Sequence, residues 1–486
     1  MKLFKSLKKT MIALIAGVTV STAAAAGIGG LSVQKVSADS LPQQTDSNLN
    51  LDVKAAIAVD AKTGQILYAK NAEQALPVAS MSKLMTVYLV LQAIKNGKLS
   101  WNQEILPDAA SQKVSQDTQL SNVPLKADHK YTVKSLYQAT LIYSANGAAM
   151  ALANAVGGTH KNFIDMMRKE ARKMGINDAE IYTANGLTND EVFDAKYPGA
   201  SDNAENKFSA KDMAIISQRL IEDYPEVLET TKITRMKFNN GTDETTMENW
   251  NWMLPGLAKA YSELPVDGLK TGTSDSAGAC FAGTVNKDGH RLITVVLGAK
   301  HDSQEDLSRF VETQKLMSYC YNSYSYETIK AGKSFKNAAS LPVYHGKDLK
   351  VAVSSKNSTD VWLKSNVSSS NLVAKLSGDK KLYKDGGLVA PLKKGQTVGE
   401  LSVKVKGQDL YYLDGATSIK LKAKTDKAVD KANVFVIAWR AIKGVFNRYG
   451  AEASGHEPVR KLWATEGELV SSRESLLAIG GMRAEA

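Results

Sequence analysis

The sequence predicts an α/β domain followed by a smaller all-β module and a C-terminal amphipathic helix. Three observations carry this expectation. Residues 39–328 have strand patterns at both ends and helical patterns between them, which joins the two ends in one sheet. Residues 329–424 switch to short alternating runs, LKVAVS, DVWLKS, LVAKLS, GELSVKVKG and ATSIKLKA, divided by turn clusters. Residues 427–449 then return to helical period, with apolar side chains on one stripe.

The chain has 486 residues and 43% apolar side chains, enough for two domains or more. Residues 1–38 stand apart. Lys2, Lys5, Lys8 and Lys9 precede an apolar run from Met11 to Val20, then small residues and Val36-Ser37-Ala38. This is the layout of a secretory signal peptide cleaved before Asp39, and export follows from it. Charge is unevenly distributed over the rest. Residues 39–328 carry net −6, whereas residues 329–424 carry 18 lysines against seven acids, net +11. Two bodies with different surroundings are expected, the second near something anionic; no nucleic-acid partner is expected.

In the first body, residues 54–60 and 65–70 alternate around the turn Asp60-Ala61-Lys62-Thr63-Gly64 and read as a hairpin. A helix follows Pro77, carried by Leu84, Met85, Val87, Tyr88, Leu91 and Ile94 and ending near Asn96-Gly97. Residues 132–156 read as two helical pieces broken at 144–147, and further helices fit 160–174 and 209–221. Strands at 279–286 and 291–299 and a helix at 303–319 close the body.

Two cysteines, Cys280 and Cys320, are too few for a disulfide framework; pairing and two buried thiols are both open, the second being favoured. The six histidines show no metal-ligand spacing, so neither a metal nor another cofactor is expected. The same scatter, with no G-x-S-x-G, argues against a Ser-His-Asp hydrolase.

Ser80 and Lys83 lie three apart at the start of the helix after Pro77, close enough for the amine to take the hydroxyl proton. The helix N-terminus would stabilise an oxyanion there. The S-x-x-K spacing alone is weak, since it recurs at Ser6, Ser32 and Ser377. S-x-N occurs at Ser144, Ser201, Ser355 and Ser369, and K-T-G at Lys62 and Lys270. Order and setting select among the copies. Ser144 sits in the break between two helices, and Lys270 lies in a strand-like run, whereas Lys62 is in a hairpin turn and Ser201 in a polar loop.

Ser80-Met81-Ser82-Lys83, Ser144-Ala145-Asn146 and Lys270-Thr271-Gly272 together resemble the three motifs of the penicillin-binding proteins and serine β-lactamases. The flanks DAKTGQILYAKNAEQALPVASMSKLMT and VDGLKTGTSDSAGACFAGT, with Asn185-Gly186-Leu187, are closely similar to the serine D-alanyl-D-alanine carboxypeptidases. The resemblance covers most of residues 50–320. It implies a β-lactamase/transpeptidase-like fold, an antiparallel sheet flanked by helices. It also implies removal of the terminal D-alanine from peptidoglycan stem peptides, and β-lactam antibiotics as covalent inhibitors. Under it, Ser80 is the nucleophile and Lys83 its base. Ser144 relays a proton to the leaving amine, and Asn146 holds the substrate amide and Lys83. Lys270, with Thr271 and Gly272 beside it, takes the substrate carboxylate, and the N–H groups of Ser80 and Thr273 form the oxyanion hole. The middle motif departs mildly from the usual Ser-Gly-Asn through Ala145.

Two other readings compete. A secreted β-lactamase of class A would carry a deacylating Glu in E-x-x-L-N, which is absent between Ser144 and Lys270; Glu180 and Asn185 have the wrong spacing. A non-catalytic wall-binding protein would not keep every catalytic side chain.

Residues 329–424 are expected to form a β-sandwich whose lysines are either a solvated face or a docking surface for anionic polymer or lipid. On residues 427–449, Phe435, Trp439, Ile442 and Phe446 share a stripe opposite Arg440, Lys443 and Asn447. This basic, Trp-bearing helix is too poor in apolar residues to span a bilayer and fits an anionic membrane surface. The expected location is the outer face of the cytoplasmic membrane, in the cell-wall space. The polar residues 451–486 are expected to be disordered.

Overall fold

The computed structural model describes residues 49–303 and 306–453. The predicted signal peptide and nearly all of the polar tail lie outside the described residues.

Five antiparallel strands form the first sheet: β1 (Ala55–Asp60), β2 (Ile66–Lys70), β3 (Val266–Ser274), β4 (Gly278–Lys287) and β5 (His290–Ala299). Their spatial order is β2-β1-β5-β4-β3, so the two ends of the body meet where β1 pairs with β5, Ile57 opposite Val295. The hairpin between β1 and β2 is fixed by Asp60, whose Oδ2 accepts from the Thr63 amide and hydroxyl at 2.7 and 2.6 Å. Every residue of β1 is buried, because both faces of the sheet are covered.

One face is covered by α1 (Lys83–Lys95), α2 (Ala109–Ser115), α3 (Val133–Ile142), α4 (Asn146–Gly157), α5 (His160–Lys173), α6 (Ala210–Asp223) and α7 (Val227–Thr231). The other carries α8 (Ser308–Ser323), whose Phe310, Leu316 and Met317 pack with Ala56, Ala58 and Phe281. α1 is apolar almost all round and is buried in the middle of the helical layer. Side-chain caps from Asp108, Thr132, Thr159 and Ser209 start four of the helices, each stabilising by about 1 kcal/mol. The short α2 and the hairpin Arg235–Asn239/Glu244–Glu248 have no clear periodic signal in the sequence.

The helix expected at 303–319 runs from Ser308 to Ser323, and the following strand, β6 (Tyr324–Ile329), already belongs to the second body. The boundary placed after residue 328 therefore falls inside that strand. β6 pairs with β9 (Thr359–Lys364), and the ribbon packs on a seven-stranded sheet. The sheet comprises β7 (Ser340–Tyr344), β8 (Lys350–Ser355), β10 (Leu372–Gly378), β11 (Tyr383–Lys384), β12 (Gly387–Val389), β13 (Thr397–Val405) and β14 (Ile419–Thr425). Its order is β10-β13-β14-β8-β7-β12-β11. Ile329, Val361 and Leu363 of the ribbon meet Leu401, Val403 and Leu421 of the sheet, giving a sandwich of unequal layers.

Trp362 joins the two bodies. Its indole N–H donates to Asp60 Oδ1 at 3.0 Å, and the Gln65 amide pairs with its backbone N–H and C=O at 2.8 Å each.

Residues 427–433, expected to be helical, are extended. Val429 exchanges backbone bonds with Leu392, and the Ala432 N–H reaches the His345 carbonyl. The helix α9 starts later and runs Val434–Ala453, capped by Asn433 Oδ1, which accepts from the Val436 N–H at 2.8 Å. Tertiary pairing to the loops that follow β7 and β12 overrides helical period over the first seven residues. In α9, Phe435 is 86% and Trp439 66% exposed, while Arg440 donates to the Gly346 and Lys347 carbonyls. Among the described residues no helix is long and apolar enough to cross a membrane.

Candidate active site

Ser80 lies in a single 3-10 turn, Ala79–Ser82, that leads directly into α1. Ala79 has φ +45°, a left-handed conformation rare for a residue with a Cβ, and turns the chain sharply so that Ser80 faces a cavity. Two glycines permit the close packing around it. A Cβ on Gly186 would stand 1.9 Å from the Ala79 carbonyl oxygen, and one on Gly272 would stand 2.3 Å from that of Val78. Gly186 also has φ +85°. The Asn185-Gly186-Leu187 segment and the K-T-G strand are thus both pressed against the Ser80 turn.

Lys83 is fully buried, and its Nζ has three neighbours: Ser80 Oγ at 2.7 Å, Asn146 Oδ1 at 2.7 Å and the Asn185 carbonyl at 2.8 Å. Burial, aided by the charge of Lys270, holds its pKa well below the ordinary lysine value. A neutral amine has two protons and one lone pair. Asn146 Oδ1 and the Asn185 carbonyl are pure acceptors and take the two protons, which leaves the lone pair for the Ser80 hydroxyl proton.

Ser144 and Asn146 come from the α3–α4 break. Ser144 has φ +61°, and the Asn146 amide N–H donates to the Ser121 carbonyl at 3.0 Å. Asn146 Nδ2 donates to the same carbonyl at 3.1 Å, which fixes Oδ1 toward Lys83. Lys270 is in the middle of β3, opposite Ala282, where its side chain is fully buried. Burial first, then the neighbouring Arg309, lowers its pKa to about 7.

Ser80, Ser144, Asn146, Thr271, Gly272 and Thr273 line one cavity of about 310 Å3. Lys83 and Lys270 lie beneath its floor. β3 is the edge of its sheet, so Thr271–Thr273 present a strand edge with no neighbouring strand along the cavity. The other motif copies lie elsewhere. Lys62 pairs with Asp360 at 2.6 Å, Ser201 and Ser377 are exposed, Ser355 is buried in the second body and Ser369 lies in a 3-10 turn. Glu180 pairs with Lys207.

Arg309, Trp250, Trp252 and Phe310 also line the cavity, and the sequence pattern does not single them out. Arg309 opens α8 and donates to the carbonyls of Gly272 at 2.9 Å and Cys280 at 3.3 Å, so it braces the K-T-G strand from behind. The N-W-N-W run at 249–252 was the one available signal for the tryptophans. Trp250 donates to the Tyr143 carbonyl at 3.2 Å. Both cysteines are free and buried; burial pushes the Cys280 thiol up to about 11 and the Cys320 thiol further. Among the described residues no group of side chains is arranged to hold a metal ion.

Comparison with known proteins agrees with this geometry. Residues 42–301 match the family described as D-alanyl-D-alanine carboxypeptidase, and residues 325–431 match the penicillin-binding protein 5 C-terminal domain. The D-alanyl-D-alanine carboxypeptidase DacC of Escherichia coli is 30% identical over 380 residues, 76% of this chain and 84% of the relative. The corresponding DacF of Bacillus subtilis is 26% identical over 366 residues, 75% and 84%. Among solved structures, a peptidoglycan synthesis regulatory factor (PBP3) from Streptococcus pneumoniae is 34% identical, with a TM-score of 0.64 over 78% of this chain and all of that one. The chain belongs to the D-alanyl-D-alanine carboxypeptidases, serine-type hydrolases of the low-molecular-mass penicillin-binding proteins that act in the cell wall.

Proposed function

We propose that Ser80 attacks the carbonyl between the last two D-alanines of a peptidoglycan stem pentapeptide, releasing D-alanine and leaving an acyl-enzyme that water hydrolyses. The observation that carries this reading is the three-way contact of Lys83 Nζ with Ser80 Oγ, Asn146 Oδ1 and the Asn185 carbonyl, which in the neutral amine frees the lone pair for the Ser80 proton. In the first step the Ser80 proton passes to Lys83 as the Oγ–C bond forms. Ser144, which lines the same cavity, returns a proton to the departing amine. Asn146 keeps Lys83 oriented and meets the substrate amide. The N–H groups of Ser80 and Thr273 hold the oxyanion, with about 3 kcal/mol for each donor. Lys270, protonated below about pH 7, takes the terminal carboxylate with the Thr271 hydroxyl, and Gly272 lets strand and nucleophile turn approach closely.

Penicillins acylate the same serine. A β-lactamase reading is disfavoured because the carboxylates lining the cavity, among the described residues, are Asp275 and Asp306, with no glutamate beside Ser80. The exported chain rests on the outer face of the cytoplasmic membrane through α9, whose exposed Phe435, Trp439 and Ile442 enter the interface of anionic lipid.

The test is intact mass of the mature protein during incubation with penicillin, followed by D-alanine release from a stem pentapeptide. A penicillin adduct lasting many minutes, absent in Ser80→Ala, with D-alanine release by the wild type is the expected result. Rapid drug turnover would assign a β-lactamase, and no adduct a wall-binding protein.

A further inference from the structure

The second body carries a basic surface that the hydrolytic reaction does not use. In β13 and β14 apolar residues alternate inward, with Val403, Val405, Ile419, Leu421 and Ala423 buried, so the intervening side chains face outward. The register sets Lys375, Ser402 and Lys420 in one row across β10, β13 and β14, and Ser377, Glu400 and Lys422 in the next. Lys404 lies one row further along. Lys375, Lys404, Lys420 and Lys422 are all exposed, and among the described residues none of them is in an ion pair. Glu400 is the one acid among these paired positions. Like charges in adjacent rows repel, and nothing in the fold requires lysine at an exposed strand position.

We infer that this sheet face is a docking track for a linear phosphate-bearing polymer of the cell wall. Charge complementarity selects an anion, and two features select a chain over a bilayer. The face lies far from the point where α9 is held to the second body. Arg440 of α9 is held at the Gly346 and Lys347 carbonyls, beside the start of β8 at Lys350. β8 runs away from that turn, and Ser355 at its far end pairs with Ala423. Lys422 and Lys420 lie beyond Ser355, more than about 20 Å from the turn at a rise near 3.3 Å per residue. The face also runs into a recess that a flat membrane cannot enter. Lys420 and Ser418 line a groove of about 640 Å3 together with Thr63 and Ser358. Of its carboxylates, Asp360 is engaged by Lys62 and Thr328, and Asp414 accepts from the Ala416 N–H. A polymer on this track would hold the enzyme against the wall while the catalytic cavity stays open, and its affinity would fall with salt as counterions compete.

The test measures binding of the full mature chain to long-chain inorganic polyphosphate by fluorescence anisotropy at low and physiological salt. The quadruple variant Lys375→Gln/Lys404→Gln/Lys420→Gln/Lys422→Gln is compared with Lys98→Gln/Lys130→Gln/Lys134→Gln/Lys169→Gln, which removes the same charge from the first body. The expected result is salt-sensitive binding weakened at least tenfold in the first variant and less than twofold in the second, with unchanged Tm and penicillin acylation in both. Binding of phosphatidylglycerol vesicles, measured in parallel, stays at the wild-type level in the first variant. Equal loss in both variants, no binding by the wild type, or loss of vesicle binding with polyphosphate binding intact would each overturn the inference.

Discussion

Lys83 Nζ lies 2.7 Å from Asn146 Oδ1, and the two residues come from different helices, 63 positions apart in the chain. The contact aims the amine at Ser80, while burial and the charge of Lys270 keep its pKa low; an uncharged amide oxygen holds the amine without the pull that a carboxylate would exert on the ammonium form. Asn146→Asp would set a carboxylate there instead. An opposite charge at this distance favours the ammonium form and raises the Lys83 pKa. Penicillin acylation at pH 7 should fall at least about tenfold, and the acid limb of its pH profile should move up by about a unit or more. Stopped-flow acylation from pH 5 to 10 measures both, and an unmoved limb would mean that Asn146 does not set the basicity of Lys83.

Lys270 is held near pKa 7, against an ordinary lysine value of 10.5. Its folded pKa is lowered, so the unfolded chain binds the extra proton between pH 7 and pH 10.5, and stability rises with pH across that window. The cost of keeping the charge buried is therefore greatest below about pH 7 and fades toward pH 10.5. Lys270→Met removes it. Its Tm should exceed that of the wild type by about 5 °C near pH 6.5, with the gain shrinking toward pH 10. D-alanine release should drop about a hundredfold, chiefly through KM. A Tm gain independent of pH would show that burial of the charge is not its source.

Gly186 packs where no side chain fits. Gly186→Ala must displace the Ala79 carbonyl and adopt φ +85°, so a loss of about 3 kcal/mol or more in urea unfolding is expected. Acylation of whatever folds should also slow, because the displaced atom adjoins Ser80. A variant with wild-type stability and acylation would contradict the packing.

Trp362→Phe keeps the ring in its interdomain pocket and deletes the indole N–H that donates to Asp60. It should cost about 1–2 kcal/mol and speed proteolytic cleavage near residues 324–329, while penicillin acylation remains within about twofold. Differential scanning calorimetry with limited proteolysis reads this directly.

Local pattern determined much of this protein. Alternation in 54–60, 65–70 and 279–299 marks the sheet strands, and the apolar period after Pro77 marks α1, because a strand or helix with one or both faces covered must repeat apolar residues at its own spacing. Ser80, Lys83, Ser144, Asn146 and Lys270 were legible as three motifs in order, once the resemblance of their flanks was joined to their spacing. Tertiary structure alone decided the rest. It brings Ser80, Ser144 and Thr271 to one cavity, while Lys62-Thr63-Gly64, with the same letters as Lys270-Thr271-Gly272, ends against Asp360 of the second body. It recruits Arg309 and Trp250 from segments whose own periodicity carries no sign of the site, and it draws residues 427–433 into extended pairing before α9 can start. The low pKa values arise from burial first, and then from a neighbouring cation, Lys270 beside Lys83 and Arg309 beside Lys270. Those are properties of distance between residues remote in the chain, and only the folded packing sets them.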